Sequence, residues 1–253
     1  MDSYLLASIV FVCVFAGSLL GLWLNAWLPE PHRSPASHDA IKLGTGMVSV
    51  LASLVLGLLI ASIKNSFDTT DGQIRTFAAD LILLDQTLRD YGPDAGKARD
   101  LLRSYTGRAI EDQWPEEAGG RVQMEDRNAG QTLHDARLAI VDLASDDPRH
   151  AALRSTALTL MDSIAQTRWL LIERAESSIQ PVFMVILIAW IVLIFISFGY
   201  NAPVNATVIT AFLICAAALS ACLFIIAEMD TPFSGLIVVS SHAMRDALAH
   251  MSQ

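Results

Sequence analysis

Four long apolar runs punctuate the chain. Residues 4–28 carry no charge, 21 uncharged residues separate Lys42 from Lys64, and residues 182–200 and 206–227 are uncharged as well. At 1.5 Å per residue each run is long enough, as a helix, to cross a hydrocarbon core roughly 30 Å thick. The pattern therefore predicts four transmembrane helices. The second is unlike an ordinary lipid-facing span. Gly46, Ser49, Ser53, Gly57 and Ala61 recur every three or four residues and form one stripe of small side chains. Such a stripe either lets another helix pack closely or lines a narrow wet path.

The first run opens on Met1-Asp2 and is too long for the apolar core of a cleaved secretory signal, so it is expected to remain as a span. Within it Gly17 and Gly21 make a GxxxG, and Asn25 follows one turn later as a hydrogen-bonding residue near the helix end. Trp23 and Trp27 suit the headgroup belt. A short connector, PEPHRSPASHD (29–39), leads into the second span. His32 and His38 lack the acidic or cysteine partners that a metal site would need, so no metal is expected there.

Between the second and third spans the pattern changes to amphipathic. Apolar residues at 67, 74, 77, 81, 84, 88 and 91 make a heptad-like seam on a helix that continues out of the second span and stops at Gly92-Pro93. A second helix is expected over 94–113 and a third over about 123–143, separated by the loop EEAGGR. Asp147-Pro148 reads as an N-cap followed by proline at the first helical position. The fourth helix then runs to about residue 180, with Leu153, Leu160, Ile164, Thr167 and Leu171 on its inner face. Strand-like alternation is missing from the insert.

After the third and fourth spans, joined by an uncharged turn, the tail TPFSGLIVVSSHAMRDALAHMSQ breaks at Pro232 and Gly235. It ends in a weakly amphipathic segment that could lie along a membrane surface. The expected organisation is thus 1–64 for the first two spans, 65–181 for a cytoplasmic helical domain, 182–228 for the last two spans and 229–253 for a cytoplasmic tail. The expected fold class is an all-α membrane protein with a helical bundle inserted between spans two and three.

Composition sharpens this picture. Only 17% of the residues are charged, against about a quarter in soluble domains. Residues 64–181 hold 14 of the 17 Lys+Arg and 20 of the 26 Asp+Glu. A net charge of −9 argues against nucleic acid as a partner. Near the span ends, Lys64, Arg75, Arg168, Arg174 and Arg245 fall on the insert's side and only Arg33 and Lys42 on the other. The positive-inside rule therefore puts the insert and both termini in the cytoplasm.

Candidate chemistry is sparse. Cys13, Cys215 and Cys222 all lie in apolar runs, and no HExxH, GxSxG or phosphate-binding loop occurs, so neither an enzyme nor a cofactor is expected. Glu228 and Asp230 end the fourth span and either cap it at the interface or contact an ion. Arg168 and Arg174 beside Trp169 read as interface anchors or as contacts to an anionic headgroup. Asp85 borders the seam of the first insert helix and is expected to pair with an arginine of a neighbouring helix.

Two stretches, VLGLLIASIKNSFD (55–68) and EMDTPFSGLIVVS (228–240), joined by a helical region of fitting length, resemble those of bacterial bestrophin-like membrane proteins. Bestrophins proper are pentameric ion channels, mostly for anions, whose second helix lines the pore. The resemblance implies a homo-oligomer in the bacterial inner membrane, with Gly46, Ser49, Ser53 and Gly57 along the path. It makes Pro232, Phe233 and Gly235 the post-helix motif. Two departures are visible: the second span has no aromatic before Phe67, and of a calcium-clasping acidic cluster only Glu228 and Asp230 are near. The alternative is a non-conducting module in contact with membrane lipids, whose bundle docks a cytoplasmic protein partner.

Overall fold

A computed structural model describes residues 3–27, 35–114, 127–144, 147–174 and 181–252. The loop EEAGGR, His32, Arg33 and the far end of the fourth insert helix lie outside these. Most of the described residues are helical, and none of them forms a strand. The helices are α1 (Ser3–Trp27), α2 (Pro35–Tyr91), α3 (Gly96–Gln113), α4 (Arg127–Val141), α5 (Pro148–Arg174), α6 (Pro181–Tyr200), α7 (Ala206–Met229) and α8 (His242–Met251), with a 3-10 turn over Pro93–Ala95 before α3. Stretches of α1, α2, α6 and α7 are long and apolar enough to cross a membrane.

Local signals in the sequence explain where the helices begin and end. α2 is one helix of 57 residues because no proline interrupts it until Pro93. Beyond Tyr91 the chain takes a positive φ of 116° at Gly92, which only glycine adopts without strain. The side-chain oxygen of Asp147 accepts from the backbone N–H groups of Arg149 (2.7 Å) and His150 (3.0 Å), satisfying two otherwise orphaned donors at the start of α5. Asn205 does the same for α7, accepting from Val208 N at 2.8 Å.

The chain divides into two compact units. One comprises 1–65 and 178–230, the other 66–177 and 231–253. In the first, α1 packs along α6 and α7. Val10, Val14, Leu187, Ala216 and Leu223 are buried there together with Ala52 and Ile63 of α2. The Ser220 hydroxyl of α7 donates to Ala7 O across the α1 contact at 2.6 Å.

In the second unit, Ile74, Phe77, Leu81, Leu84 and Leu88 form a continuous buried seam on the outgoing half of α2. Each is worth about 1.5–3 kcal/mol relative to exposure. Ala98, Leu102, Tyr105 and Ala109 of α3 and Leu133, Ala136 and Ile140 of α4 pack into the same core. Burial pushes the Tyr105 phenol up from its ordinary value. On α5 the inner face consists of Ala157, Met161, Ile164 and Leu171, while Leu153 and Leu160 are only half-buried, so the stripe sits slightly round the helix from the expected one.

The tail differs from expectation. Met244, Ala247 and Met251 of α8 are buried in the core of this second unit, and α8 packs on α3. Its apolar side is consumed by the bundle and is not free to lie on a membrane.

Candidate functional site

The small-residue stripe of α2 is uncovered in the single chain. Gly46, Ser53 and Gly57 are exposed and Ser49 is half-buried. A Cβ built on Gly46 or Gly57 would meet nothing within 4 Å. The two serine hydroxyls donate back to their own helix, Ser49 to Thr45 O and Ser53 to Ser49 O, both at 2.8 Å. This leaves their oxygen lone pairs directed outward as acceptors. Only 11% of the most apolar window of α2 is buried, against 22–39% for the other three candidate spans. The N-terminal part of α2 is pinned to the end of α6 by polar contacts. Thr45 Oγ1 lies 2.6 Å from Ser197 Oγ, and His38 Nδ1 lies 2.7 Å from Asn201 Oδ1 while its ring stacks on Tyr200.

Gly17 and Gly21 lie where α1 crosses α6. A Cβ on Gly17 would sit 3.2 Å from Val192 Cγ1; one on Gly21 would sit 2.1 Å from Ile196 O and 2.9 Å from Gly199 Cα. Gly199 returns the contact, since its Cβ would fall 2.1 Å from Ser18 O. Glycine on both sides brings the two backbones together, which is the main source of helix adhesion where lipid supplies no hydrophobic drive. Asn25 Nδ2 donates to Ala202 O at 3.4 Å, beyond the end of α6.

Glu228 and Asp230 lie at one helix end in different surroundings. Glu228 lies in the last turn of α7 and is buried, whereas Asp230 caps the helix, half-exposed, with its N–H donating to Ile226 O. A separation of two residues turns the side chains about 200° apart on a helix. Among the described residues no group of three or more His, Cys, Asp or Glu comes together to hold a metal.

The segment after α7 is a closed loop. Val239 N donates to Pro232 O at 2.8 Å, and Gly235 turns the chain with φ 100°. Phe233 is buried edge-on against Trp114, with ring centroids 5.8 Å apart. The Trp114 indole N–H in turn donates to Val239 O at 2.7 Å. The Pro-Phe-x-Gly stretch thus latches the chain to the C-terminal end of α3. Arg103 of the same helix donates to Met251 O, satisfying a carbonyl that α8 leaves open at its end. Sequence reasoning did not identify Trp114 and Arg103 as anchors for the tail.

Close to this anchor Asp85, with its side chain 4% exposed, receives Arg99 of α3 at 2.8 Å and Arg89 of its own helix at 3.0 Å. The hydrogen bond to Asp85 holds the Arg99 guanidinium above its ordinary value. This is the arginine pairing from a neighbouring helix that the seam position of Asp85 implied. Arg168 lies over Trp169, with its guanidinium also 3.3 Å from where a Cβ on Gly130 would stand.

A model of the bestrophin-like domain matches residues 12–244. Two crystal structures of a bacterial bestrophin homologue from Klebsiella pneumoniae are similar in fold. One, a point mutant, is 10% identical and superposes with a TM-score of 0.72, covering 98% of this chain and 99% of that chain. The other is 11% identical, with a TM-score of 0.70 and coverage of 97% and 98%. No curated protein matches by sequence.

Proposed function

The chain belongs to the bestrophin-like family, and on that premise we propose that it is a homo-oligomeric ion channel of a cell membrane in which α2 lines the path. The observation that carries the reading is the exposure of the Gly46–Ser49–Ser53–Gly57 face in the isolated chain, on the least covered of the four candidate spans. Copies arranged about an axis with this face inward would surround a narrow column with hydroxyl oxygens and bare backbone, groups that can replace water around a moving ion. The membrane is the bacterial inner membrane, with both termini and the bundle on its cytoplasmic side, and the subunit number carried from the resemblance is five.

Ser53→Leu tests this. The leucine puts an isobutyl group into the path without touching the α1–α6 crossing. Ion flux into liposomes is expected to fall while the size of the assembly is unchanged. Loss of the assembly with this variant, or no flux from the wild-type protein, would overturn the channel reading and favour a scaffold held together by the stripe.

A further inference from the structure

The turn that ends α6 is a fixed platform. Gly199 stands against the backbone of α1, and just past it Asn25 of α1 donates to Ala202 O at 3.4 Å. From this platform Asn201 Nδ2 donates to Ser197 O at 2.9 Å. A carbonyl oxygen only accepts, so this bond orients the amide and leaves its Oδ1 facing His38 Nδ1, 2.7 Å away. The amide oxygen is likewise only an acceptor. His38 Nδ1 therefore carries a proton whether the ring is neutral or charged. The same ring stacks on Tyr200, with centroids 5.0 Å apart and planes inclined by 18°. Two turns along α2, the Thr45–Ser197 hydroxyl pair adds a contact that does not titrate near neutral pH.

From this geometry we propose that His38 is a proton-tightened latch, holding the N-terminal part of α2 to the end of α6 more firmly when its ring is charged. Imidazole changes charge between pH 5 and 8. Protonation adds a proton at Nε2 and leaves the Nδ1 donor in place. The bond to Asn201 then becomes charge-assisted, and the charge lies over the face of the Tyr200 ring. Neither gain is open to the neutral ring. The neighbouring elements do not offset them, since residues 4–28, 182–200 and 206–227 of α1, α6 and α7 are uncharged and Tyr200 is the titratable side chain that they turn to His38. On its own helix, Asp39 adjoins the ring and favours its charge, whereas Lys42, one turn on, opposes it. Glu30, His32 and Arg33 precede it in the connector, outside the described residues. The latch has leverage because α2 has few other holds in this unit. Of its residues up to 65, Ala52 and Ile63 are the buried ones among those described, and both lie beyond Thr45. If α2 lines a path, the latch sets how firmly one mouth of that path is held, but the latch itself does not rest on that reading.

Two measurements on the full-length protein in nanodiscs test this. Nuclear magnetic resonance of ¹⁵N-labelled histidine reads the tautomer, with His38→Gln identifying the signal. Above pH 8 the ring is expected as the Nδ1–H form, and an Nε2–H form overturns the proposal. Backbone hydrogen exchange over residues 38–49, corrected for the intrinsic pH dependence of amide exchange, reads how firmly the segment is held. Protection in the wild type is expected to be about threefold higher at pH 5 than at pH 8, the ratio that corresponds to a cation–π gain at a partly exposed site. His38→Gln keeps an N–H donor but does not titrate, so its protection should be the same at both pH values. Asn201→Leu removes the acceptor and should lower protection at both. Wild-type protection that is independent of pH, a pH difference that survives in His38→Gln, or full protection in Asn201→Leu overturns the proposal. Wild-type exchange alone decides the matter should a variant fail to fold. Neither readout is ion flux, so the failure of the latch and the failure of the channel reading are separate results.

Discussion

Gly21→Ala tests the close approach of α1 and α6 in numbers. The new Cβ would lie 2.1 Å from Ile196 O, where ordinary contact begins at 3.4 Å, a shortfall of 1.3 Å. The obstacles are the Ile196 carbonyl oxygen, Tyr200 N and Gly199 Cα, all backbone atoms that cannot rotate away, so the helices must part by more than about 1 Å. A gap of that size forfeits about half of each 0.15 kcal/mol carbon pair; over about 40 pairs, the number one buried leucine makes, the loss is about 3 kcal/mol. Overpacking commonly costs 1–3 kcal/mol, in keeping with that figure. Against it stands the better helix propensity of alanine, about 1 kcal/mol. The net expectation is destabilisation by about 2 kcal/mol. Gly72→Ala is the control, since its Cβ meets nothing within 4 Å and only the propensity gain remains. The assay is reversible unfolding in mixed micelles of increasing SDS content, followed by circular dichroism. The two variants should differ by about 3 kcal/mol. Equal midpoints for Gly21→Ala and Gly72→Ala would refute the claim that backbone contact holds α1 to α6.

Other predictions bear on the second unit. Phe233→Ala should cost about 3–5 kcal/mol by opening a cavity against Trp114, and limited proteolysis should then release the tail in place of the protected wild-type pattern. Trp114→Phe keeps the ring but strands Val239 O, with an expected loss of about 1–3 kcal/mol in thermal unfolding. Asp85→Ala leaves Arg99, 23% exposed, without its carboxylate; about 3 kcal/mol is expected, and a double variant with Arg99→Met should recover part of it. Asp147 is held below the usual carboxylate range, chiefly by the His150 backbone N–H, so its stabilisation is complete above the ordinary pKa near 3.8 and disappears as pH falls through the lower folded value. Asp147→Asn still caps but does not titrate. The difference in unfolding midpoint between it and the wild type should therefore shrink in acid, and a difference that is constant with pH would exclude this role.

The core of the bundle was legible wherever a periodic pattern was sustained or punctuated. The 74–88 seam of α2 spans enough turns for the period to be unambiguous, and Asp147-Pro148 carries both cap and helix start. The α5 face was read partly wrongly because leucines at 153 and 160 outweigh Ala157 in a count of apolar residues, although it is Ala157 and Met161 that go inside. The destination of the tail could not be read. Apolar residues at 244, 247 and 251 look the same whether they meet lipid or protein, and the deciding partners, Arg103 and Trp114, lie 148 and 125 residues away in the chain. At the candidate site, the residue types on α2 were visible from spacing. That they stay uncovered while Thr45 and His38 take the contacts to α6 depends on where α6 ends, which no local pattern specifies.

The bundle is built from two stretches of chain, 66–177 and 231–253, with 178–230 lying between them in the sequence. During synthesis at roughly 5–20 residues per second, the 77 residues from Arg174 to Met251 take about 4–15 s to emerge. For that interval Tyr105, Leu102 and Trp114 exist without Met244, Ala247, Met251 and Phe233, and two apolar spans must leave the ribosome first. The protein therefore passes through an obligatory stage with an open, sticky bundle, and it is residues made after both of these spans that close it. Its biogenesis is expected to depend on chaperone shelter more than that of a bundle whose helices are contiguous in the chain.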